Sequence, residues 1–321
     1  MNGDITVFSY AKINLSIDVT GKRSDGMHTV DMIMQELDFH DKVKISFVED
    51  RKKKEIDIKI KTDKYYLPTD NRNLAWKAAQ LMIDRYADRR CGIPEKGRGG
   101  GHILINIKKR IPVAGGLAGG SGNGAAVLHG LNAIWKLNLE LSELMELGAL
   151  LGADVPFCIA GQAKNNRVLP KNIRNSSDAF FCARATGTGT ELKPVEPLKK
   201  AAIIVKPKIG VSTAKVYQGL DNMEIGRRPD NDAMEKALAE GDWYRIRENM
   251  INVLEEYTLS QYELVAKLKD ELQKEFPESP VLMSGSGPTV FVLFDSTREA
   301  YKASGIFRRK GYTAYWTSTR R

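Results

Sequence analysis

The sequence predicts an α+β fold, on three observations. Strand-like and helix-like segments are intermixed along the chain, and they do not follow the regular strand–helix alternation of a doubly wound parallel sheet. The chain has 321 residues, enough for two domains with sizeable cores. Its composition, 42% apolar and 28% charged, is that of a globular protein in water.

The elements follow from hydrophobic periodicity. Short runs of β-branched or alternating apolar residues predict strands at 5–10, 12–19, 43–48, 56–61, 103–107, 201–205, 289–294 and 312–316. Helical spacing predicts helices at 73–89, from about 125 to 135, at 141–151, and two long ones near 230–256 and 260–276. Ser260 and Glu263 predict a capping box for the last of these. A polar segment predicts a break near residues 161–178.

The composition limits the cellular compartments in which the protein is expected. No apolar run approaches the length of a membrane span, and the first ten residues lack the pattern of a signal peptide, so a cytoplasmic protein without a membrane partner is expected. The cysteines Cys91, Cys158 and Cys182 are far apart and odd in number. This spacing fits a reducing compartment and predicts neither a disulfide framework nor a zinc site.

The formal charge of +9 raises the possibility of a polyanionic partner such as RNA. The densest basic run, RKKK at 51–54, adjoins EIDIKIK, whose alternation predicts an exposed hairpin. No aromatic residues are interleaved with this run, which argues against nucleic-acid binding. Small anionic ligands would also account for the excess of lysine and arginine.

A glycine-rich stretch precedes a helix in IPVAGGLAGGSGNGAAVLHGLNAIW, residues 111–135, with six glycines between residues 112 and 124. Glycine lets the backbone approach a ligand closely, and a helix start points amide N–H groups and a positive dipole end toward one place. The stretch therefore predicts a phosphate site, with a mobile linker as the alternative. It is not a Walker loop, because no Lys-Ser or Lys-Thr follows the glycines.

Three further segments support a nucleotide site. In AKINL, Lys12 and Asn14 share one face of a strand; the alternative is an edge strand whose face is in water. In LGADVPFCIAG, Asp154 is a carboxylate in apolar surroundings, either a general base or a helix cap. LMSGSGPTVFVLF, residues 282–294, contains a second glycine turn that could close over a nucleotide.

Taken in order, these segments resemble the GHMP small-molecule kinases over nearly the whole chain. AKINLSIDVTGKRSDGMHTV, KKRIPVAGGLAGGSGNGAAVLHGLN, LGADVPFCIAG and SGSGPTVFVLF carry the resemblance. Within that superfamily the match is to kinases of the non-mevalonate isoprenoid pathway that phosphorylate a hydroxyl of a cytidyl diphosphate sugar alcohol. The resemblance implies two α+β domains, here 1–163 and 164–321, with the active site in the cleft between them. It also implies ATP and Mg²⁺, and a monomer or weak homodimer.

The resemblance assigns roles by position. Asp154 is the expected base for the substrate hydroxyl, and Lys12 is expected to stabilise charge at the reacting centre. The substrate residues implied are Asn14, Met27, His28, Thr213 and Tyr217. The nucleotide residues implied are Asn73 and Lys109 near the adenine, and Pro112, Gly115, Gly116, Leu117, Ala118, Gly119, Gly120, Ser121, Gly122 and Asn123 around the phosphates. Ser121 is a candidate aid to the magnesium-bound oxygens, and no metal held by protein side chains alone is expected.

The chain departs from the family pattern in three places. Met27 replaces the usual aromatic residue before the histidine, and Gly122 and Gly124 replace serine and alanine. Residues 164–178 do not resemble the usual short connection. The alternatives are a kinase for another small alcohol and a catalytically silent sensor of a nucleotide or metabolite. The presence of both Lys12 and Asp154 argues against the silent sensor.

Overall fold

The structure, a computed structural model, describes residues 2–50, 52–87, 100–164 and 166–321. Cys91, Arg51 of the basic run and the last two residues of the helix expected at 73–89 lie outside this part of the chain. The chain divides into two compact units, each assembled from separated stretches: the first unit is 1–10, 40–111 and 118–180, and the second is 11–39, 112–117 and 181–321. The boundary expected between residues 163 and 164 stays a prediction.

Two long strands begin the fold, β1 (Asn2–Lys22) and β2 (His28–Asp50), and they pair with each other. The separate strands expected at 5–10 and 12–19 are parts of β1. Nothing between Tyr10 and Lys12 interrupts the strand, because Ala11 is apolar and buried and no turn residue stands there. Each long strand contributes one stretch to each unit.

The basic hairpin expected after residue 51 is wrong. In the first unit, β3 (Ile56–Thr62) pairs in parallel with β4 (Gly100–Lys108), and β4 pairs antiparallel with β2. The strand order is therefore β3-β4-β2, and β3 does not return along β2. This register sets the isoleucines of β3 beside those of β4, such as Ile58 opposite Ile103, a long-range match that local periodicity does not reveal.

Helices cover this part of the sheet. The first unit contains α1 (Leu74–Tyr86), α2 (Gly119–Trp135), α3 (Leu141–Ala149), α4 (Val155–Ala163) and α5 (Lys171–Arg174). Their apolar side chains form one buried cluster with the strands. Leu169, Ile173 and Ala179 belong to that cluster. The region expected as a break therefore packs on the first unit's core.

Helix α2 begins at Gly119, six residues earlier than the sequence predicted. Gly122 and Gly124 lie inside the helix, and a neighbouring side chain comes very close to the first of them. A Cβ on Gly122 would lie 2.5 Å from Ser9 Oγ, and one on Gly124 would lie 3.4 Å from the carbonyl oxygen of Leu74. Gly122 therefore serves close packing within a helix, and the contact at Gly124 is an ordinary van der Waals distance.

The second unit contains a four-stranded antiparallel sheet of order β10-β7-β9-β8. Its strands are β7 (Ala201–Lys206), β8 (Val281–Met283), β9 (Val290–Phe294) and β10 (Thr313–Ser318). β5 (Cys182–Thr186) pairs with the first half of β2 and with β6 (Glu191–Pro194). The helices of this unit are α6 (Thr213–Leu220), α7 (Asn231–Glu240), α8 (Trp243–Asn249), α9 (Leu254–Gln261), α10 (Glu263–Glu275) and α11 (Thr297–Arg309).

The long helix expected near 230–256 is divided into α7, α8 and the start of α9, whereas the helix expected near 260–276 is confirmed as α10, which begins three residues later than predicted. Gly241, at φ +69°, ends α7, and Asp242 then caps α8 by accepting a bond from the Arg245 amide. The Ser260–Glu263 capping box is wrong. Ser260 lies inside α9 and donates to the carbonyl of Tyr257, while α10 begins after Tyr262.

Candidate functional site

The start of α2 in the first unit is built to leave amide groups available. Ala118 precedes the helix in the left-handed conformation at φ +54°, and its methyl side chain cannot cap the first amides. The first turn carries no carboxylate. Gly120 is exposed, and a Cβ there would meet only Leu74 Cδ1 at 3.8 Å. A helix start of this kind fits an anionic group.

Asp41 holds the segment that leads toward this helix. Its carboxylate is fully buried and accepts bonds from the amides of Arg110 at 2.7 Å and Ile111 at 2.8 Å. It also accepts from Asn123 Nδ2 at 3.0 Å and forms an ion pair with Lys109. One carboxylate thereby joins the end of β4 to the first turns of α2.

Lys109 lies directly at the helix start, since a Cβ on Gly119 would be 2.6 Å from Lys109 Nζ. Burial lowers the pKa of Lys109, while the neighbouring Asp41 carboxylate acts in the opposite direction. Asn73 caps α1: its Oδ1 accepts from the amide of Ala75 at 3.0 Å and its Nδ2 donates to the carbonyl of Pro68 at 2.8 Å. The expected approach of Asn73 and Lys109 to an adenine stays a prediction.

Asp154 immediately precedes α4 and is half-buried. Its side chain makes no capping hydrogen bond to the helix amides. The helix-cap explanation of this carboxylate therefore has no support in its geometry. Ser121 is also half-buried and lies in the first turn of α2, at the end of the helix where the amides have no side-chain cap.

In the second unit, Lys12 and Asn14 lie on the same face of β1, as the spacing predicted. The ammonium of Lys12 donates to Asn14 Oδ1, and Asn14 Nδ2 contacts Met32 Sδ at 3.3 Å. Lys12 is 4% exposed and Asn14 is fully buried. The alternative of a strand face in water is therefore wrong.

The two glycine turns contact each other within the second unit. Gly116 has φ +72°, and a Cβ there would lie 2.1 Å from the carbonyl oxygen of Ser284. Ser284 Oγ donates to the carbonyl of Gly116 at 2.9 Å. The amide of Lys12 donates to the carbonyl of Leu117 at 3.2 Å, which ties the first turn to β1. A Cβ on Gly115 would be 2.9 Å from Thr289 Oγ1, so this position also requires a small residue.

Residues 112–117 belong to the second unit, and residues 118–123 continue into α2 in the first. Pro112 opens the turn, with its carbonyl oxygen 3.2 Å from the place of a Cβ on Gly115.

The expected substrate residues of the second unit meet around α6. The rings of His28 and Tyr217 lie 5.2 Å apart with an interplanar angle of 40°. Thr213 Oγ1 is 2.9 Å from Ser286 Oγ, which links the first turn of α6 to the second glycine turn. Met27 is 52% exposed in the tight turn between β1 and β2, where its amide donates to Asp25 Oδ1 at 3.0 Å.

Asp221 was not expected from the sequence. It ends α6, four residues after Tyr217, and its Oδ1 lies 2.6 Å from His28 Nε2. Its Oδ2 accepts from Lys22 Nζ at 2.5 Å. Hydrogen bonds from Lys22 and His28 lower the pKa of Asp221. The helical spacing of Tyr217 and Asp221 was a usable signal that both side chains face one way.

Within residues 2–50, 52–87, 100–164 and 166–321, no group of three or more His, Cys, Asp and Glu side chains is arranged to hold a metal ion. No helix in these same ranges has the length and apolar character needed to cross a bilayer.

The comparisons with known proteins agree with this geometry. The profile described as GHMP kinases N terminal domain matches residues 73–162, and that described as GHMP kinases C terminal matches residues 234–313. The chain therefore belongs to the GHMP kinases, and it is an ATP-dependent small-molecule kinase.

Curated relatives define the family more narrowly. The 4-diphosphocytidyl-2-C-methyl-D-erythritol kinase of Alkaliphilus metalliredigens is 41% identical over 317 residues, 98% of this chain and 97% of that protein. The enzyme of the same name from Acetivibrio thermocellus is 39% identical, with coverage of 98% and 99%. The chain belongs to the family of 4-diphosphocytidyl-2-C-methyl-D-erythritol kinases.

Solved structures agree at the level of the fold. A crystal structure of 4-(cytidine 5'-diphospho)-2C-methyl-D-erythritol kinase has a TM-score of 0.72 and 25% identity, with coverage of 98% of this chain and 99% of that one. Homoserine kinase from Cytophaga hutchinsonii has a TM-score of 0.65 at 16% identity, with coverage of 99% and 94%. The two-domain GHMP kinase α+β fold expected from the sequence is confirmed.

Proposed function

We propose that the protein transfers the γ-phosphoryl group of ATP to a hydroxyl of 4-diphosphocytidyl-2-C-methyl-D-erythritol, the compound that the names of its relatives give as their substrate. The new bond joins the substrate oxygen to phosphorus, and the bond between that phosphorus and ADP breaks. The observation that carries the phosphoryl-transfer part is the open start of α2, where Gly120 is exposed and no side chain caps the amides.

Asp154 receives the hydroxyl proton in this proposal. A half-buried carboxylate can accept the proton of a substrate hydroxyl. Lys12 supplies positive charge for the transferred group, which demands positioning and neutralisation above all else. Its buried bond to Asn14 fixes the direction of the long lysine side chain.

The nucleotide is bound by the turn 112–117 and the first turn of α2. Close approach of backbone to phosphate is possible at Gly120 because, among the described residues, only Leu74 Cδ1 lies within 4 Å of the place of its Cβ, at 3.8 Å. Ser121 is the candidate hydroxyl near a magnesium ion, which proteins usually hold through substrate phosphates. Bound Mg²⁺ would neutralise phosphate charge.

The substrate's cytidyl group is assigned to His28 and Tyr217, with Met27 beside them. Their rings lie 5.2 Å apart and are tilted by 40°. The exposed Met27 can cover a base through its polarisable thioether. Asn14 is assigned to the same substrate from its place on β1. Thr213 completes the set at the start of α6. We further propose a cytoplasmic monomer or weak homodimer that does not bind nucleic acid.

A substrate panel tests the proposal. The purified protein is incubated with ATP, Mg²⁺ and one alcohol at a time: the cytidyl substrate, mevalonate or homoserine. We expect ADP formation only with the cytidyl compound, whose mass increases by one phosphoryl group. Turnover with mevalonate or homoserine instead would support a kinase for another alcohol. ATP binding without turnover of any alcohol would support the silent sensor.

Titration of CDP separates recognition of the base from catalysis. Base stacking is worth roughly 1–3 kcal/mol per truncated aromatic, so Tyr217→Ala is expected to weaken CDP binding about ten- to a hundredfold. Tyr217→Phe keeps the ring and is the matched control. Negligible CDP binding by both the wild type and Tyr217→Ala would contradict the cytidyl assignment and leave the kinase assignment intact.

A further inference from the structure

We propose that Asp221 is a positioning residue that holds the proton on Nε2 of His28 and fixes the plane of its ring beside Tyr217. The proposal deepens the cytidyl site and rests on the proposed function for its kinetic consequences. Its structural part concerns contacts within the second unit alone.

The short contact between Asp221 and His28 decides where the imidazole carries its proton. Asp221 Oδ1 is 2.6 Å from His28 Nε2. An ionised carboxylate only accepts hydrogen bonds, so Nε2 must be the donor. An aspartate carboxyl is ionised at neutral pH, and the Lys22 ammonium at 2.5 Å from Oδ2 adds to that preference. In the neutral ring Nδ1 is then an acceptor; in the charged ring it is a second donor, and Nε2 keeps its proton in both states.

The same contact also fixes the direction of the ring. Asp221 and Tyr217 are one helical turn apart on α6, and both reach His28, which begins β2. The His28 side chain is 10% exposed, so its ring has little freedom outside this arrangement. An imidazole held by a carboxylate on one nitrogen presents its other nitrogen in a fixed direction, as a group that reads the edge of a base requires.

Lys22 provides the matched control. It pairs with the second oxygen of Asp221 and links the end of β1 to α6, and among the described residues no hydrogen bond or ion pair joins it to His28. If Asp221 served only to tie these elements together, loss of Lys22 would reproduce loss of Asp221. If Asp221 acts through the imidazole, Lys22→Met keeps the bond between Asp221 and His28 and therefore most of the affinity for the cytidyl substrate.

Steady-state kinetics form the first arm of the test, with Asp221→Ala, Asp221→Asn and Lys22→Met. We expect Asp221→Ala to raise KM for the cytidyl substrate about tenfold, as for loss of a hydrogen bond to a charged group, with little change in kcat or in KM for ATP. Asp221→Asn keeps an oxygen that accepts from Nε2–H and is expected to restore most of the affinity. An unchanged KM in Asp221→Ala, or an equal rise in Lys22→Met, would overturn the proposal.

The second arm uses long-range ¹H–¹⁵N correlation of the histidine rings in the protein without substrate, with His28→Gln for assignment. We expect proton occupancy on Nε2 of His28 in the wild type and a mixture of tautomers in Asp221→Ala. Protonation of Nδ1 alone in the wild type would overturn the proposal. Because this arm needs no substrate, failure of the protein to phosphorylate the cytidyl compound would contradict the proposed function and leave Asp221 to be judged by the spectra.

Discussion

Asp41 and Lys109 form a buried ion pair beneath the start of α2. The same carboxylate accepts the amides of Arg110 and Ile111, so its charge is matched by four donors when Asn123 is included. The pair thus fixes the end of β4 and the first turns of α2 together. These contacts hold the start of α2, the proposed phosphate site, in position and leave its first amides without a side-chain cap.

Asp41→Asn is expected to lower the free energy of unfolding by about 3 kcal/mol, because it leaves the Lys109 ammonium buried without its counter-charge. Urea denaturation measures this loss. Asp63→Asn is the matched control, since Asp63 accepts from the amide of Lys109 at 2.9 Å but its side chain is about half exposed, so its loss costs at most about 1 kcal/mol. Adding Lys109→Met to Asp41→Asn should recover part of the stability. Equal losses in the two aspartate variants would contradict this account.

Gly120 and Gly122 are two residues apart in α2, and substitutions at them are expected to have opposite effects on stability and on ATP affinity. Gly120→Val places a side chain in open space, so the melting temperature should hardly change while ATP affinity falls at least about a hundredfold. Gly122→Ala forces a Cβ to within 2.5 Å of Ser9 Oγ, and overpacking of this kind costs about 1–3 kcal/mol of stability. Thermal melts and ATP titration of both variants measure the contrast. A folded Gly120→Val protein that binds ATP normally would remove the phosphate site from this turn.

Many of the strands and helices could be predicted because the patterns that determine them lie within short stretches of the sequence. The strand positions follow alternating or continuous apolar runs, and the two-residue spacing of Lys12 and Asn14 correctly placed them on one face. Gly241 is a common type of residue at a helix end, but the apolar periodicity on both sides of it led to the prediction of one continuous helix at 230–256. The Ser260 cap failed because the hydroxyl found a carbonyl three residues earlier in its own helix.

Asp41 and Asp221 were missed because their partners are remote in sequence. Lys109 and Asn123 are 68 and 82 residues from Asp41, and His28 is 193 residues from Asp221. The sequence around a single aspartate does not predict which distant amide or imidazole will form a hydrogen bond with it. The pairing of β3 with β4 was missed for the same reason, since only the folded sheet brings their isoleucines together.

Stability should depend on pH through Glu36, which is buried against Arg320 in the second unit. Burial raises the pKa of Glu36 from 4.5 to about 7. The folded state therefore binds a proton more tightly than the unfolded chain does. The stabilisation is fully present below pH 4.5 and is lost as the pH rises through about 7.

The measurement compares wild type with Glu36→Gln by urea denaturation between pH 4.5 and 8. Relative to the variant, the wild type should lose about 3 kcal/mol of unfolding free energy as the pH rises across this range. The glutamine side chain is neutral throughout, so it is the reference for the titration. A difference between the two proteins that is constant with pH would show that Glu36 titrates at its ordinary value.

The assignment of Asp154 as the base is tested most directly by the turnover number of Asp154→Asn with ATP and the cytidyl substrate. Asparagine keeps the shape of the side chain but cannot take the hydroxyl proton, so we expect kcat to fall about 10²–10⁴-fold. Both KM values and the melting temperature should stay close to wild type. Asparagine caps helices about as well as aspartate, so a capping role predicts no loss of activity. Near-normal turnover in the folded variant would contradict the central claim that Asp154 receives the proton in phosphoryl transfer.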